Sequence, residues 1–549
     1  MEVDSQSHSG YESTEVLESD ISRCCRYHPR KFPINRAVLA LLVVSTLERY
    51  AFHNVTSSAF RIAESYSRLH VNESIHNTIL AETVLNSVPF LLYPFAGYLA
   101  DVRFGRLNVI TSGVLICAVC YGLLALMFSL GFAAVWQGVS MVVLFTILFV
   151  VLCAGSAAVQ VNMVPFLADQ VRGAWGEELS SLFHWYYWTR NIGAVAVIFQ
   201  LVLSCSQHPS DSRHNDDETV AYVTLTLSTV ALSLASCVLF CCKQWLHHQK
   251  EIKNPLSLVV KVIGFARKAK YDPHQSAFTI NKDPPPRLDL AKLRYGGPFT
   301  STQVEDVKTF YRLLLILFSM IGTLMLITAV ITVLQLFSDV IIKSTECYFN
   351  GSILLTIAED LTILTIIPVF DKLAYPLLGG YTPNMLNRVG IGSVLCLISA
   401  STITAVLYSF DLARKFPHTM IHHPNSSIWY IPAALSIGSA VMLGLSEVLI
   451  EVGALEFAYA QSPREMKGFM IGMFYFMWGL GSLVAEIILL FLTNLPIVMI
   501  LSFFALLLYL WLACHYKRPD RDDDEDRDLD NLTYESALDV LRSQMRSPR

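Results

Sequence analysis

Charge is what this sequence has little of. Asp, Glu, Lys and Arg make up 15% of its 549 residues, whereas hydrophobic residues make up 53%. A soluble chain carries roughly 25% charged residues and spreads its apolar ones at helix or strand period. An ordinary soluble domain is therefore excluded. There is also no phosphate-cradling loop of the Walker type, no metal-ligand spacing and no nucleophile elbow, so an ATP-driven pump or a membrane hydrolase has no motif to rest on. The chain reads as a protein that is not an enzyme, with no cofactor, no metal and no nucleic acid as partner. Strand alternation is missing from the apolar blocks, which argues against an outer-membrane barrel. The twelve cysteines make no disulfide framework: most fall inside apolar blocks, and only Cys205 and Cys347 are expected to reach an outer compartment. Cys24–Cys25, among basic residues, reads equally as a palmitoylation site or as two unmodified thiols.

What is present is a series of long apolar blocks, with a mean hydropathy of +0.47. A helix needs about 20 apolar residues to cross the hydrocarbon core. On that measure spans are expected at 36–63, 79–100, 107–130, 139–167, 181–205, 219–242, 310–338, 352–371, 389–409, 429–460, 469–492 and 495–515. The first block follows a polar stretch, is too long for a signal-peptide core and lacks a small-residue cleavage site, so it is expected to stay. Basic residues set the orientation. Arg23, Arg26, Arg30, Lys31 and Arg36 precede span one, and twelve Lys or Arg lie in 243–309. The six loops on the other side hold only Arg68, Arg213, Lys343, Arg414 and Lys415. Both termini are therefore expected in the cytoplasm. The sequons at Asn72, Asn350 and Asn425 fall in loops this topology puts outside, where glycosylation is possible.

The outline is an all-α membrane protein of twelve helices in two six-helix halves, 36–242 and 310–515. A cytoplasmic linker, 243–309, joins them, and its basic stretch Lys261–Lys270 is expected to lie along anionic lipid as a short amphipathic helix. Residues 1–35 and the acidic tail 516–549 have little to bury and are expected to be disordered.

Charges inside spans are costly and are functional candidates by default. Span one carries Ser45, Glu48, Arg49, Phe52, His53 and Thr56 on one stripe. The alternative, a structural ion pair, needs no histidine one turn away. Span ten carries Glu447 and Glu451 on one face and Glu456 off it; three acids in one span need water, protons or cationic partners. For Glu456 a pairing with a neighbouring helix is expected. Span eight contributes Glu359 and Asp360. Span five contributes His184, Arg190 and Asn191, with Arg190 reading equally as a binding residue or as the partner of an acid such as Glu82.

Six segments, in order, resemble the proton-dependent oligopeptide transporter family of the major facilitator superfamily. They are Gly97–Arg106, with Asp101, Gly105 and Arg106; Asn162–Gln170, with Pro165 and Asp169; Phe183–Gly193, with Tyr187 and Asn191; Val304–Lys308; Ile367–Pro376; and Leu455–Lys467, with Glu456, Tyr459 and Pro463. Within the family the chain looks most like the animal peptide/histidine transporters of endosomes and lysosomes. The departures are specific. In the family's span-one motif, Ser45 replaces the first glutamate and His53 the second tyrosine, while Glu48 and Arg49 match. Gln160 replaces a span-four lysine and Glu359 a span-eight asparagine; Glu447 keeps the span-ten glutamate.

The resemblance implies substrate contacts from Arg49, Tyr50, His53, Gln160, Asn162, Tyr187, Glu359 and Glu447, with Arg49 toward a peptide carboxylate and Glu447 toward its amine. Proton-coupling candidates are Glu48, Glu359, His53 and Glu447. Asp101, Gly105, Arg106, Asp169 and Glu456 belong to gating or structural motifs. The expected activity is proton-coupled symport of di- or tripeptides or histidine across an endosomal or lysosomal bilayer. A cationic amine or amino acid in the same fold is the alternative, as is a transport-poor sensor that holds a cytosolic adaptor through its termini or central loop.

Overall fold

The computed structural model describes residues 35–70, 87, 89–129, 139–171, 176–206, 213–247, 255–269, 286–341, 351–378, 383–415, 430–492 and 495–516. These are almost all helical. In hydrocarbon every backbone N–H and C=O must find its partner within the protein, and a helix achieves that within one segment. The helices are α1 (Arg36–His70), α2 (89–99), α3 (Arg106–Ser129), α4 (Val139–Gln170), α5 (Gly176–Ser206), α6 (Arg213–Cys242), α7 (Pro255–Lys268), α8 (Ser301–Ser319), α9 (Ile321–Ile341), α10 (Gly351–Val369), α11 (Met385–Lys415), α12 (Tyr430–Glu447), α13 (Gly453–Gln461), α14 (Lys467–Leu492) and α15 (Leu495–His515). Among the described residues, eight helices are long and apolar enough to cross a membrane, at the places expected for spans three, four, six, seven and nine to twelve. α1, α5 and α10, which carry most of the interior charges, cover the segments expected as spans one, five and eight. The sequons at Asn72, Asn350 and Asn425 lie outside the described residues.

Two compact units form, each from three stretches of chain. The first comprises Met1–Ser58, Leu167–Leu246 and Val330–Glu456, and the second Ala59–Phe166, His247–Ala329 and Phe457–Arg549.

In the first unit, α11 and α12 pack through small polar residues. Ser399 Oγ donates to Ser439 O at 2.8 Å, Ser439 Oγ donates back to Ser399 O at 3.0 Å, and Ser446 Oγ reaches Gly392 O at 2.9 Å. Such contacts, with close packing, hold helices together in lipid, where there is no hydrophobic driving force between them. Near its end α10 meets Pro368, which has no N–H to give the carbonyl four residues back. That carbonyl, Leu364 O, takes the indole N–H of Trp188 on α5 at 2.9 Å. A π-helical turn, Phe370–Ala374, follows and carries the fully buried Asp371.

In the second unit, α2 also ends in a π-helical turn, Ala100–Phe104. Gly105 follows at φ 78°, a left-handed conformation that favours glycine. The turn holds Asp101 where Phe469 N–H donates to its Oδ2 at 3.0 Å and Arg106 binds its Oδ1 at 2.9 Å. The central linker is more ordered than a polar loop. α8 starts at Ser301, ahead of the expected residue 310, and Thr300 and Gln303 cap it reciprocally. Behind it Asp289, Lys292, Glu305 and Lys308 form a four-charge cluster with N–O distances of 2.6–3.0 Å.

Candidate functional site

The first unit gathers most of the predicted charges. α1 supplies a buried Ser45 and Glu48, with Arg49 and His53 half-buried beside them. α5 comes against α1 at Gly193, where an added Cβ would lie 2.6 Å from Thr46 O and 2.9 Å from Tyr50 N. α12 comes against α10 at Gly444, where a Cβ would lie 2.7 Å from Glu359 O. These two close approaches bring Arg49, Arg190, Tyr187, Glu359 and Glu447 into one region of one unit. A larger residue at either glycine would push the helices apart.

Within that region two pairs are fixed by geometry. Arg190 Nη1 binds Glu451 Oε1 at 2.9 Å, with each side chain 6% exposed. Glu451 sits in a π-helical turn, Val448–Val452, that interrupts the run from α12 to α13. Tyr187 donates its hydroxyl to Glu447 Oε2 at 3.4 Å. Glu359 has Glu447 and Asp360 as charged neighbours, and Arg49 acts on both Asp360 and Glu447. His53 has Arg49 and Arg190 for charged neighbours. Tyr50 turns to Gln200 of α5, donating its hydroxyl to the amide oxygen.

The other predicted residues have the following partners. Glu456 is bound by Arg388 of α11, and Ser180 of α5 donates to it at 3.0 Å, so its expected pairing with a neighbouring helix is present. Gln160 and Asn162 belong to the second unit. There Tyr93 donates to Gln160 Oε1 at 2.7 Å, Gln160 Nε2 donates to Ser156 Oγ at 2.9 Å, and Asn162 Nδ2 donates to Ala158 O at 2.8 Å. Asp169 is half-buried at the end of α4. Arg190 binds Glu451; the acid named for it in span two, Glu82, lies outside the described residues. Sequence reasoning singled out neither Arg388 nor Trp185. Arg388 stands one residue outside an expected span, where a cation attracts no notice. Trp185, whose indole donates to Asp371 Oδ2 at 2.8 Å, is one of several aromatics in a row. Among the described residues no group of His, Cys, Asp and Glu could hold a metal ion.

This arrangement of buried ionisable groups on packed helices suits binding and release of a small charged solute. A family model, PTR2, described as the POT family, matches residues 107–504. The chain belongs to the POT family. Solute carrier family 15 member 3 of Rattus norvegicus is 24% identical over 578 residues, which covers 91% of this chain and 94% of that protein. Among solved structures, an auto-inhibited POT family peptide transporter superposes with a TM-score of 0.61 at 17% identity, covering 88% of this chain and 98% of the other. A POT family transporter in complex with a thioalcohol conjugated peptide gives a TM-score of 0.54 at 14% identity, over 88% and 97% of the two chains. At these identities the structures establish the fold, that of POT family transporters. The chain is thus a multi-pass membrane protein of a transporter family.

Proposed function

We propose that this chain is a proton-coupled secondary transporter of short peptides or histidine, working by alternating access. The observation that carries the reading is the grouping of Arg49 with Glu447 in one unit, a cation and an anion that match the two ends of a zwitterion. Arg49 takes the substrate carboxylate and Glu447 its amine. Arg190 binds Glu451, and the carboxylate side is assigned to Arg49. The proton travels on Glu359 in preference to His53 or Glu48, taking over from the glutamate and lysine that Ser45 and Gln160 replace. The peptide transporter among the structural neighbours and the peptide-bound one support the substrate class. Likeness to the animal peptide/histidine transporters points to an endosomal or lysosomal membrane with cytoplasmic termini.

A second reading has its own observation. Two arginines, Arg49 and Arg190, stand among five carboxyls, Glu48, Glu359, Asp360, Glu447 and Glu451. That excess favours a substrate with net positive charge, a cationic amine or amino acid. The deciding experiment is uptake into proteoliposomes under an imposed pH gradient, over dipeptides, histidine and simple amines. Accumulation of dipeptides or histidine that collapses with the gradient is expected. Uptake of amines alone would select the second reading, and no uptake of any of them would leave neither standing.

A further inference from the structure

The central linker presents a surface that the transport reading does not use. α7 has two faces. Val259, Val262 and Ala266 are 6%, 0% and 5% exposed, and Phe265 sets its ring edge-on to Phe299 at 6.2 Å. This side packs on the turn Asp289–Ala291 and on α8. The other side consists of Val260, Lys261, Gly264, Arg267 and Lys268, all exposed. At about 100° per residue these five fall within an arc of roughly 120°. The face bears three cations and no acid.

An interfacial helix binds a bilayer by sinking its apolar side into the headgroup boundary. Here the apolar side packs on protein, and the outer face offers cations around one exposed valine. Whatever covers the outer face must be recognised by charge. The chain's own sequence carries a segment of the opposite charge. Residues 520–530 hold eight Asp or Glu and two Arg. The described chain leads toward them from Tyr516, whose hydroxyl donates to Gln461 Oε1 at 3.0 Å and whose ring meets Phe457 at 5.3 Å. Gln461 ends α13; a few residues on, Phe469 stacks on Phe310 of α8 at 6.3 Å. α8 in turn packs against both α7 and α15. The root of the acidic segment and the basic face therefore lie in one compact unit, on elements that both pack on α8. From Tyr516 the segment begins four residues on and ends fourteen on, a reach of roughly 13–50 Å at about 3.3–3.6 Å per residue. A tether that short holds a ligand at about millimolar effective concentration.

We propose that the outer face of α7 is the docking surface for the chain's own acidic segment, residues 520–530, with Lys261, Arg267 and Lys268 receiving its carboxylates. The contact is electrostatic and intramolecular, and it ties the end of α15 to the linker module at the start of α8.

The test uses the full chain, one molecule per nanodisc of zwitterionic lipid, treated with a water-soluble carbodiimide and read by mass spectrometry. Amide cross-links from Lys261 or Lys268 to acids within 520–530 are expected. Their yield should fall about fivefold or more between about 0.05 M and about 1 M salt, as the screening length shrinks to about 3 Å. Arg267→Glu keeps both lysines and should lower the yield similarly, and adding Asp523→Lys to it should restore part of the loss. Cross-links that are absent, or that ignore both salt and Arg267→Glu, would overturn the proposal. So would cross-links that vanish when about one-third of the bilayer is phosphatidylserine, because the face would then belong to lipid headgroups.

Discussion

Arg190 and Glu451 bind each other at 2.9 Å with 6% of each side chain exposed. Removing one partner of such a buried pair costs roughly 3–5 kcal/mol, because the other charge is left without compensation. Both residues therefore brace α5 against the π-helical turn after α12, and in the proposed function Arg49 and Glu447 take the substrate ends. Glu447→Gln keeps the shape and the Tyr187 hydrogen bond but removes the charge that would hold an amine. Transport should be abolished with expression and thermal stability intact, whereas Glu456→Gln, which weakens the bond to Arg388, should lower the melting temperature more than it alters substrate affinity. Unchanged transport in purified Glu447→Gln would remove the amine-binding assignment. Arg49→Ala should weaken peptide binding by about tenfold or more, since loss of one partner of a desolvated charge pair costs roughly 2–5 kcal/mol and about 1.4 kcal/mol is one decade. A C-terminally amidated dipeptide that binds the wild type as well as the free acid would contradict it. Arg49 and Glu447 were legible in the sequence because a charge within an apolar run has few explanations. Arg388 was not, because a charge beside a span end has many.

At the scale of elements, most helices were legible because hydrocarbon demands long apolar helical runs and the sequence shows them as such. The π-helical turns at Ala100–Phe104, Phe370–Ala374 and Val448–Val452 were not. Each shifts the register by about one residue through local hydrogen bonding that leaves no compositional mark. The order in the central linker was hidden too, because its charges read as solvated until their partners are seen. There burial works against the ionised form of Asp289, but Lys308 and Lys292 outweigh it and hold the carboxyl below its usual range. Burial likewise opposes the Lys292 ammonium, and Glu305 and Asp289 overcome it and raise it. A lowered acid stabilises the folded segment above its unfolded value of about 3.9, and that contribution is lost as pH falls through the lower, folded value. A raised lysine stabilises below about 10.4 and loses its contribution as pH rises through the folded value above that. Hydrogen exchange of residues 286–300, corrected for its intrinsic pH dependence, should thus give opening free energies that are flat near neutrality and decline only toward both extremes. Lys308→Ala, leaving two carboxyls to one lysine in a partly exposed cluster, should ease opening by about 1 kcal/mol, roughly fivefold in exchange rate. A variant that exchanges like the wild type at neutral pH would show the cluster to be incidental.

At the scale of the whole molecule, each compact unit takes helices from both halves of the sequence. Spacing and hydropathy carry no record of such grouping, because contacts such as Trp188 to Leu364 O join helices far apart in sequence. The grouping matters most for coupling. With Ser45 and Gln160 in place of a glutamate and a lysine, the proposed symport requires another proton carrier, and the first unit offers two kinds of place. Glu359 stands with Glu447 and Asp360, so a proton added there relieves repulsion among carboxyls. His53 stands with Arg49 and Arg190, so a proton added there builds positive charge on positive charge. On the proposed reading substrate binding sharpens the contrast: an amine arriving at Glu447 would compensate the acids and let Glu359 release its proton, the exchange that coupling requires. The measurement is uptake against pH gradient in Glu359→Gln and His53→Ala side by side, with uptake down the substrate gradient alone as the internal control. Glu359→Gln should retain downhill exchange and lose pH-driven accumulation, while His53→Ala should keep both to within about twofold, a shift of well under one decade or about 1.4 kcal/mol. Full pH-driven accumulation in Glu359→Gln with its loss in His53→Ala would invert the assignment. Retention in both would move the proton to Glu48 or Glu447, and Glu48→Gln under the same two gradients would separate those.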